Sequence, residues 1–279
     1  MALAGGYRNT KAGDMRRVDR LREQLADARG GRVVYLSHCL LNENVRYLGG
    51  AGRAGGVGEV ADGYLARGVG ICQLPCPEQR AWGGVLKRHM LVAYGSAGTA
   101  RALMVRLLLR PFTWYTRLVY ARLARAITSD VADYRRCGVE VVGLVGISGS
   151  PSCGVATTLD LPAAVTALTR CPAARLDQRA LNEDIIAVNV RPGEGLFIQA
   201  LRRRLTRAGA SIPMAEHDLL AELGICYRSG QPPPQGGVGS RPAGLARLAG
   251  PGLVRCTRHG AGAGQPGRAG CCSSLIPEG

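Results

Sequence analysis

Three cysteines, Cys39, Cys76 and Cys153, are the residues of this chain whose type and setting best suit them to chemistry. They lie in the segments Ser37-His38-Cys39, Pro75-Cys76-Pro77-Glu78 and Ser150-Pro151-Ser152-Cys153-Gly154, each of which follows an apolar run. None belongs to a CxxC pair, so zinc-ribbon spacing is absent. Three soft thiolates are the natural set for an iron–sulfur cluster that leaves one iron without a protein ligand. Such an iron is a Lewis acid with a vacant position, suited to the sulfur of a substrate. Pro77 and Pro151 stiffen the loops, and Gly149 and Gly154 permit close backbone approach to a bulky inorganic group. Taken singly, a buried cysteine is usually a small hydrophobe; it is the shared setting that marks these three.

Something must bring the three together. Residues 32–37 (RVVYLS), 69–74 (VGICQL) and 139–147 (VEVVGLVGI) are short apolar, β-branched runs that read as buried strands, and each of the three cysteines follows one of them. Helical periodicity is expected over Met15–Arg29, from about Gly58 to Arg67, and over Gly195–Ala208. A helical insert is expected over about residues 99–137, in two pieces broken at Pro111. A last short strand is expected at Ile212–Ala215 and a last short helix at Glu216–Leu223. Alternating strands and helices predict an α/β fold with a mainly parallel sheet flanked by helices. In such a sheet the loops beyond the carboxyl ends of the strands converge on one edge, which is where the active site is expected. Residues 1–228 are read as this domain. Residues 229–279, dominated by Gly, Pro, Ala and Arg, are read as a disordered tail.

The chain of 279 residues carries a formal charge of +16, almost all of it from arginine, and 46% hydrophobic residues. The charge favours anionic partners such as nucleic acid, phosphorylated small molecules or a membrane face; arginine usage throughout the chain is the plainer account. Met1–Arg17 has no apolar core of secretory length. The most apolar stretch, Leu103–Tyr120, is interrupted by Arg106, Arg110, Pro111 and Arg117. A cytoplasmic protein without a transmembrane segment is therefore expected, and its ten cysteines are not read as a disulfide framework.

Taken together, the segments Ser37-His38-Cys39-Leu40-Leu41-Asn42, Leu74-Pro75-Cys76-Pro77-Glu78 and Gly149-Ser150-Pro151-Ser152-Cys153-Gly154 resemble the 2-thiouracil desulfurase family in order and approximate spacing. The resemblance spans about Arg32 to Val155. It departs from the family pattern at Asn42, where the family has glycine, and at Gln79–Gly84. It implies a 4Fe–4S cluster held by Cys39, Cys76 and Cys153, and a small thiolated, thiopyrimidine-like substrate whose sulfur is exchanged for water oxygen without net redox chemistry. It also implies a serine and a glutamate that handle protons. Ser150 matches the serine, and Glu78 is placed as the acid. Two other readings stand beside it: a non-catalytic iron–sulfur or metal-binding protein, and a basic nucleic-acid-binding protein.

The remaining candidates read more plainly. Cys72, Cys137, Cys171 and Cys226 are expected to be structural thiols, with Cys72 a spare ligand at most. Cys256 with His259, and Cys271-Cys272, are adventitious thiols or tail metal ligands. His38 adjoins the site; His89 and His217 have no visible partner in the sequence. Arg53, Arg80, Lys87 and Arg88 are expected near the site edge, as solvated charges or as contacts to an anionic substrate.

Overall fold

Apolar runs alternating with helices build a four-stranded parallel sheet. The structure, a computed structural model, describes residues 12–219. Its elements in chain order are α1 (Ala12–Gln24), β1 (Arg32–Leu36), α2 (His38–Leu41), α3 (Gly58–Leu65), β2 (Gly70–Gln73), α4 (Pro77–Ala81), α5 (Arg88–Leu91), α6 (Ala100–Arg136), β3 (Glu140–Ile147), β4 (Thr157–Leu159), α7 (Leu161–Leu168), β5 (Val190–Pro192), α8 (Leu196–Arg207) and β6 (Met214–His217). The sheet order is β2-β1-β3-β6, with every neighbouring pair parallel. From β1 the chain passes to β2 on one side and then to β3 on the other. The order therefore reverses beside β1, which opens a crevice at the carboxyl ends of β1 and β3.

Both faces of the sheet are covered, which is why the strands read as nearly continuous apolar runs. Val34 and Leu36 of β1 pack with Leu40, Val57 and Tyr64 on the α3 side. Tyr35, between them, points the opposite way into a larger core with Leu144, Tyr120, Ala124, Phe197 and Leu201, shared by α6 and α8.

Helix α6 corrects the expected break. It runs 37 residues with Pro111 inside it, about 55 Å at 1.5 Å per residue. Pro111 removes one donor and orphans the carbonyl of Leu107, but Leu107 is 69% exposed, so this turn of the helix faces solvent. Ala102 on one side of the proline and Thr116, Tyr120 and Ala124 on the other are buried, and this packing holds both halves as one helix. The segment read as an insert is thus the long helix of the connection between β2 and β3, after α4 and α5. Proline in a helix interior costs up to about 3 kcal/mol, so Pro111→Ala should raise unfolding stability by about 1–3 kcal/mol in a denaturant titration. An unchanged midpoint would mean that contacts of the ring offset that cost.

Smaller differences follow from local chemistry. α1 begins before Met15 and ends at Gln24, short of the Gly30-Gly31 stop. The last strand is displaced to Met214–His217, so Glu216 and His217 are extended and not helical. α7, with Asp160 accepting from Ala163 N (3.1 Å) as its cap, and the antiparallel β4–β5 pair occupy a stretch where the sequence predicted no element. The boundary at residue 228, the 229–279 tail, and Cys226, Cys256, His259, Cys271 and Cys272 lie outside the described residues. Among the described residues no helix is long and apolar enough to cross a membrane.

Candidate functional site

β1 ends at Leu36, and the first turn of α2 carries Cys39. β2 ends at Gln73, and Leu74-Pro75 lead to Cys76, which caps α4: its Sγ accepts from Gln79 N at 3.4 Å. β3 ends at Ile147, and the following turn folds back so that Ile147 N donates to Cys153 O at 3.1 Å. Gly146 makes that approach possible, since a Cβ there would sit 2.1 Å from the Cys153 carbonyl oxygen. All three cysteines line one cavity of about 110 Å³ at the carboxyl edge of the sheet.

The Cys153 loop is fixed from β6. Glu216 Oε2 accepts from the amides of Val155 (2.7 Å), Ala156 (2.8 Å) and Thr157 (3.2 Å), and its Oε1 accepts from Thr157 Oγ1 (2.9 Å). The closeness at Gly154 likewise serves the chain's own backbone: a Cβ there would meet Thr157 O at 1.9 Å. Gly149, at φ +65°, makes the left-handed turn.

The cavity discourages bare thiolates. Burial, followed by the neighbouring Cys76 and Glu78, pushes the Cys39 thiol from 9.0 up to about 12. Burial and Glu78 raise Cys76, while Lys87 opposes the shift. Burial, then Cys39 and Cys76, raise Cys153, while Ser152 and Ser37 oppose it. The three thiols thus sense one another and are protonated at neutral pH. An iron–sulfur core held among them would have to displace their protons, so its uptake would release protons and strengthen as pH rises. In metal-free protein the raised Cys39 value penalises folding once pH climbs above about 9, because the unfolded thiol ionises first. At about pH 7.5, iodoacetamide should label exposed Cys137 well before these three, as read by peptide mass spectrometry. Faster labelling of the three would contradict the burial argument.

Glu78 is the second feature of the cavity. Although 8% exposed, it holds two partners: Oε1 accepts from Ser152 Oγ at 2.9 Å, and Oε2 lies 3.3 Å from Lys87 Nζ. Lys87 is itself buried, and its Nζ donates to Val45 O at 2.5 Å. Its φ of +50° is the sole positive value at a non-glycine position among the described residues. That strain is tolerated where the surroundings fix the residue, and such residues cluster at functional sites. Ser150 Oγ accepts from Cys153 N (3.0 Å) and Ser152 N (3.3 Å) and lies 3.2 Å from Ser152 Oγ. Ser150 therefore caps the cysteine turn, and Ser152 is the hydroxyl in direct contact with the carboxylate.

The donor set suits the implied cluster. Three soft ligands share one buried cavity at one edge, and Ser37 Oγ, fully buried beside Cys153, has no well-formed hydrogen bond to satisfy it. Among the described residues no three His, Cys, Asp or Glu side chains crowd closely enough to hold a single metal ion. A four-iron core spreads its thiolates over different irons and needs a wider arrangement.

No family model, curated protein or solved structure matches this chain.

Of the other expected residues, His38 lines the cavity, and burial, followed by Arg80 and Lys87, lowers its pKa, so it is neutral there near pH 7. Lys87, read as a surface charge at the site edge, is instead buried in the cavity wall. Arg53 pairs with Glu59 (2.9 Å) outside the cavity, and Arg80 and Arg88 are exposed. Cys72 lies 3.2 Å from Tyr134 Oη and Cys171 lies 3.6 Å from Pro172 O, and neither lines the cavity. His89 stacks edge-on to Phe112, and His217 lies on β6, neither of them lining the cavity. The sequence reading missed Ser152, Arg46 and Tyr47 as cavity residues. Arg46 is buried against Glu43 (3.5 Å), and Tyr47 Oη donates to Asn182 Oδ1 at 2.6 Å from a π-helical turn, Ala180–Ile186. An ST-turn rule applied to Ser150-Pro151-Ser152-Cys153 would have separated the capping serine from the free one.

Proposed function

We propose that this protein is an iron–sulfur-dependent desulfurase that exchanges the sulfur of a small thiolated, thiopyrimidine-like compound for water oxygen, in the cytoplasm, where thiols stay reduced. One observation carries the reading: three cysteines from three neighbouring parallel strands share a cavity with a buried, hydrogen-bonded carboxylate. A 4Fe–4S cluster bound by Cys39, Cys76 and Cys153 would supply a Lewis-acidic iron open to a soft sulfur ligand.

The rest of the chemistry falls to side chains. Ser152 directs its proton to Glu78 Oε1, which leaves its oxygen lone pairs to accept from Ser150 Oγ. The chain Ser150–Ser152–Glu78 is thus polarised toward the carboxylate, a route for taking a proton from attacking water. Lys87 holds Oε2, orients the carboxylate and balances charge that accumulates in the cavity. Trp82 and Tyr47, with Leu161 and Val165 of α7, line apolar walls that limit water to the reacting position.

The test is anaerobic purification with iron and acid-labile sulfide analysis, followed by incubation with thiolated bases, nucleosides and nucleotides in oxygen-18 water. About four irons per chain, absorbance near 400 nm and labelled oxo product would support the proposal. A cluster without turnover of any thio-compound would leave a non-catalytic iron–sulfur protein. Iron-free protein that binds RNA or DNA in a salt-sensitive way would overturn it in favour of nucleic-acid binding.

A further inference from the structure

A second surface stands apart from the cavity. Along the first half of α6, Leu103 (61% exposed), Met104, Leu107 (69%), Leu108, Trp114 (64%) and Leu118 all face solvent. At about 100° per residue these positions, with Pro111 and Tyr115, fall within roughly 140° of arc, so they form one continuous apolar face. Exposed apolar patches of this kind mark interaction sites.

The charge around the face identifies its partner. No aspartate or glutamate occurs between Ala100 and Ser129. Arg110 and Arg117 border the apolar arc, and Arg122 and Arg125 continue it toward the carboxyl end. There the face meets a surface cleft between α6 and α8, lined by Arg125, Arg204 and Arg207 with Thr128 and Ser129. Among the described residues none of those three arginines forms an ion pair. A second copy of this basic face would repel the first. Residues 220–279 are a poor cover as well, since their arginines outnumber their two carboxylates, Glu222 and Glu278. Nucleic acid would use the arginines but leave the leucines unsatisfied. An anionic bilayer uses both: aliphatic and aromatic side chains enter the headgroup boundary, and arginines meet phosphates.

We propose that α6 is a peripheral docking face for anionic membrane: its apolar arc lies in the interface plane, and the Arg125–Arg204–Arg207 cleft engages a lipid phosphate. The helix lies on the bilayer and does not cross it, in keeping with its arginines.

The chain offers a clean reporter. It has two tryptophans; Trp82 is 4% exposed and Trp114 is 64% exposed, so a blue shift on binding reports Trp114. Full-length protein should sediment with vesicles of phosphatidylcholine containing about one-third phosphatidylglycerol, with a blue shift, and at least about tenfold less with phosphatidylcholine alone or in high salt. Leu103→Glu/Leu107→Glu, on the solvent face, should cut binding by about tenfold with an unchanged circular dichroism spectrum. Arg204→Glu/Arg207→Glu should lose the preference for anionic vesicles. The proposal is overturned if the leucine double variant binds vesicles undiminished. It is also overturned if wild-type protein ignores vesicles and binds RNA through the arginines alone, or if the shift grows with protein concentration without lipid, which would indicate a second copy.

Discussion

Lys87→Met should cost about 3–5 kcal/mol of unfolding free energy, the usual effect of removing one partner from a buried ion pair. The cause lies in Glu78. With Lys87 present, both oxygens of that carboxylate are engaged, one by Ser152 Oγ and one by the ammonium group. The two side chains are 4% and 11% exposed, so water compensates little when the cation is removed. Val45 O loses its donor at the same time. A double-mutant cycle isolates the pair: Lys87→Met/Glu78→Gln should recover part of the loss, with a coupling of about 1–3 kcal/mol. Strictly additive losses in urea titrations would show that the two groups do not sense each other.

The second large effect concerns metal. Cys153→Ser should reduce iron from about four atoms per chain to a trace after anaerobic reconstitution, because a hydroxyl is a hard, weakly acidic ligand where a soft thiolate is needed. Cys39→Ser and Cys76→Ser should do the same. Cys72→Ser is the matched control: Cys72 lies on β2 against Tyr134 and does not line the cavity, so iron should be retained. The metal-free forms of Cys153→Ser and wild type should differ in stability by only about 1–2 kcal/mol, which separates ligand loss from misfolding. If all three ligand variants keep wild-type iron, the cluster assignment fails.

Much of this arrangement was legible in the sequence, for physical reasons. Strands buried on both faces need apolar, β-branched runs without polar alternation, and 32–37, 69–74 and 139–147 have that signature. Because parallel strands deliver their following loops to one edge, three cysteines spread over more than a hundred residues can be expected at one edge from the sequence alone. Three things escaped. Pro111 was weighed by its local cost alone, but Ala102 on one side and Tyr120 and Ala124 on the other are held by tertiary packing that local propensity does not express. Lys87 looks like any solvated lysine, and only the fold shows it buried in left-handed conformation beside Glu78. The β4–β5 pair and the π-helical turn at Asn182 owe their form to contacts distant in sequence, such as Tyr47 Oη, which leave no periodic trace.

The strand order also sets a timetable. β1 and β2 leave the ribosome early, carrying Cys39 and Cys76, but β3 inserts beside β1 only after the whole of α6 has been made, and Cys153 follows β3. The Glu216 carboxylate that clasps the Cys153 loop comes later still. A nascent chain therefore carries an incomplete thiol set through most of its synthesis, and the third thiol is secured only when the last described strand joins the sheet. Loading of the proposed cluster is then a late event on a nearly finished domain.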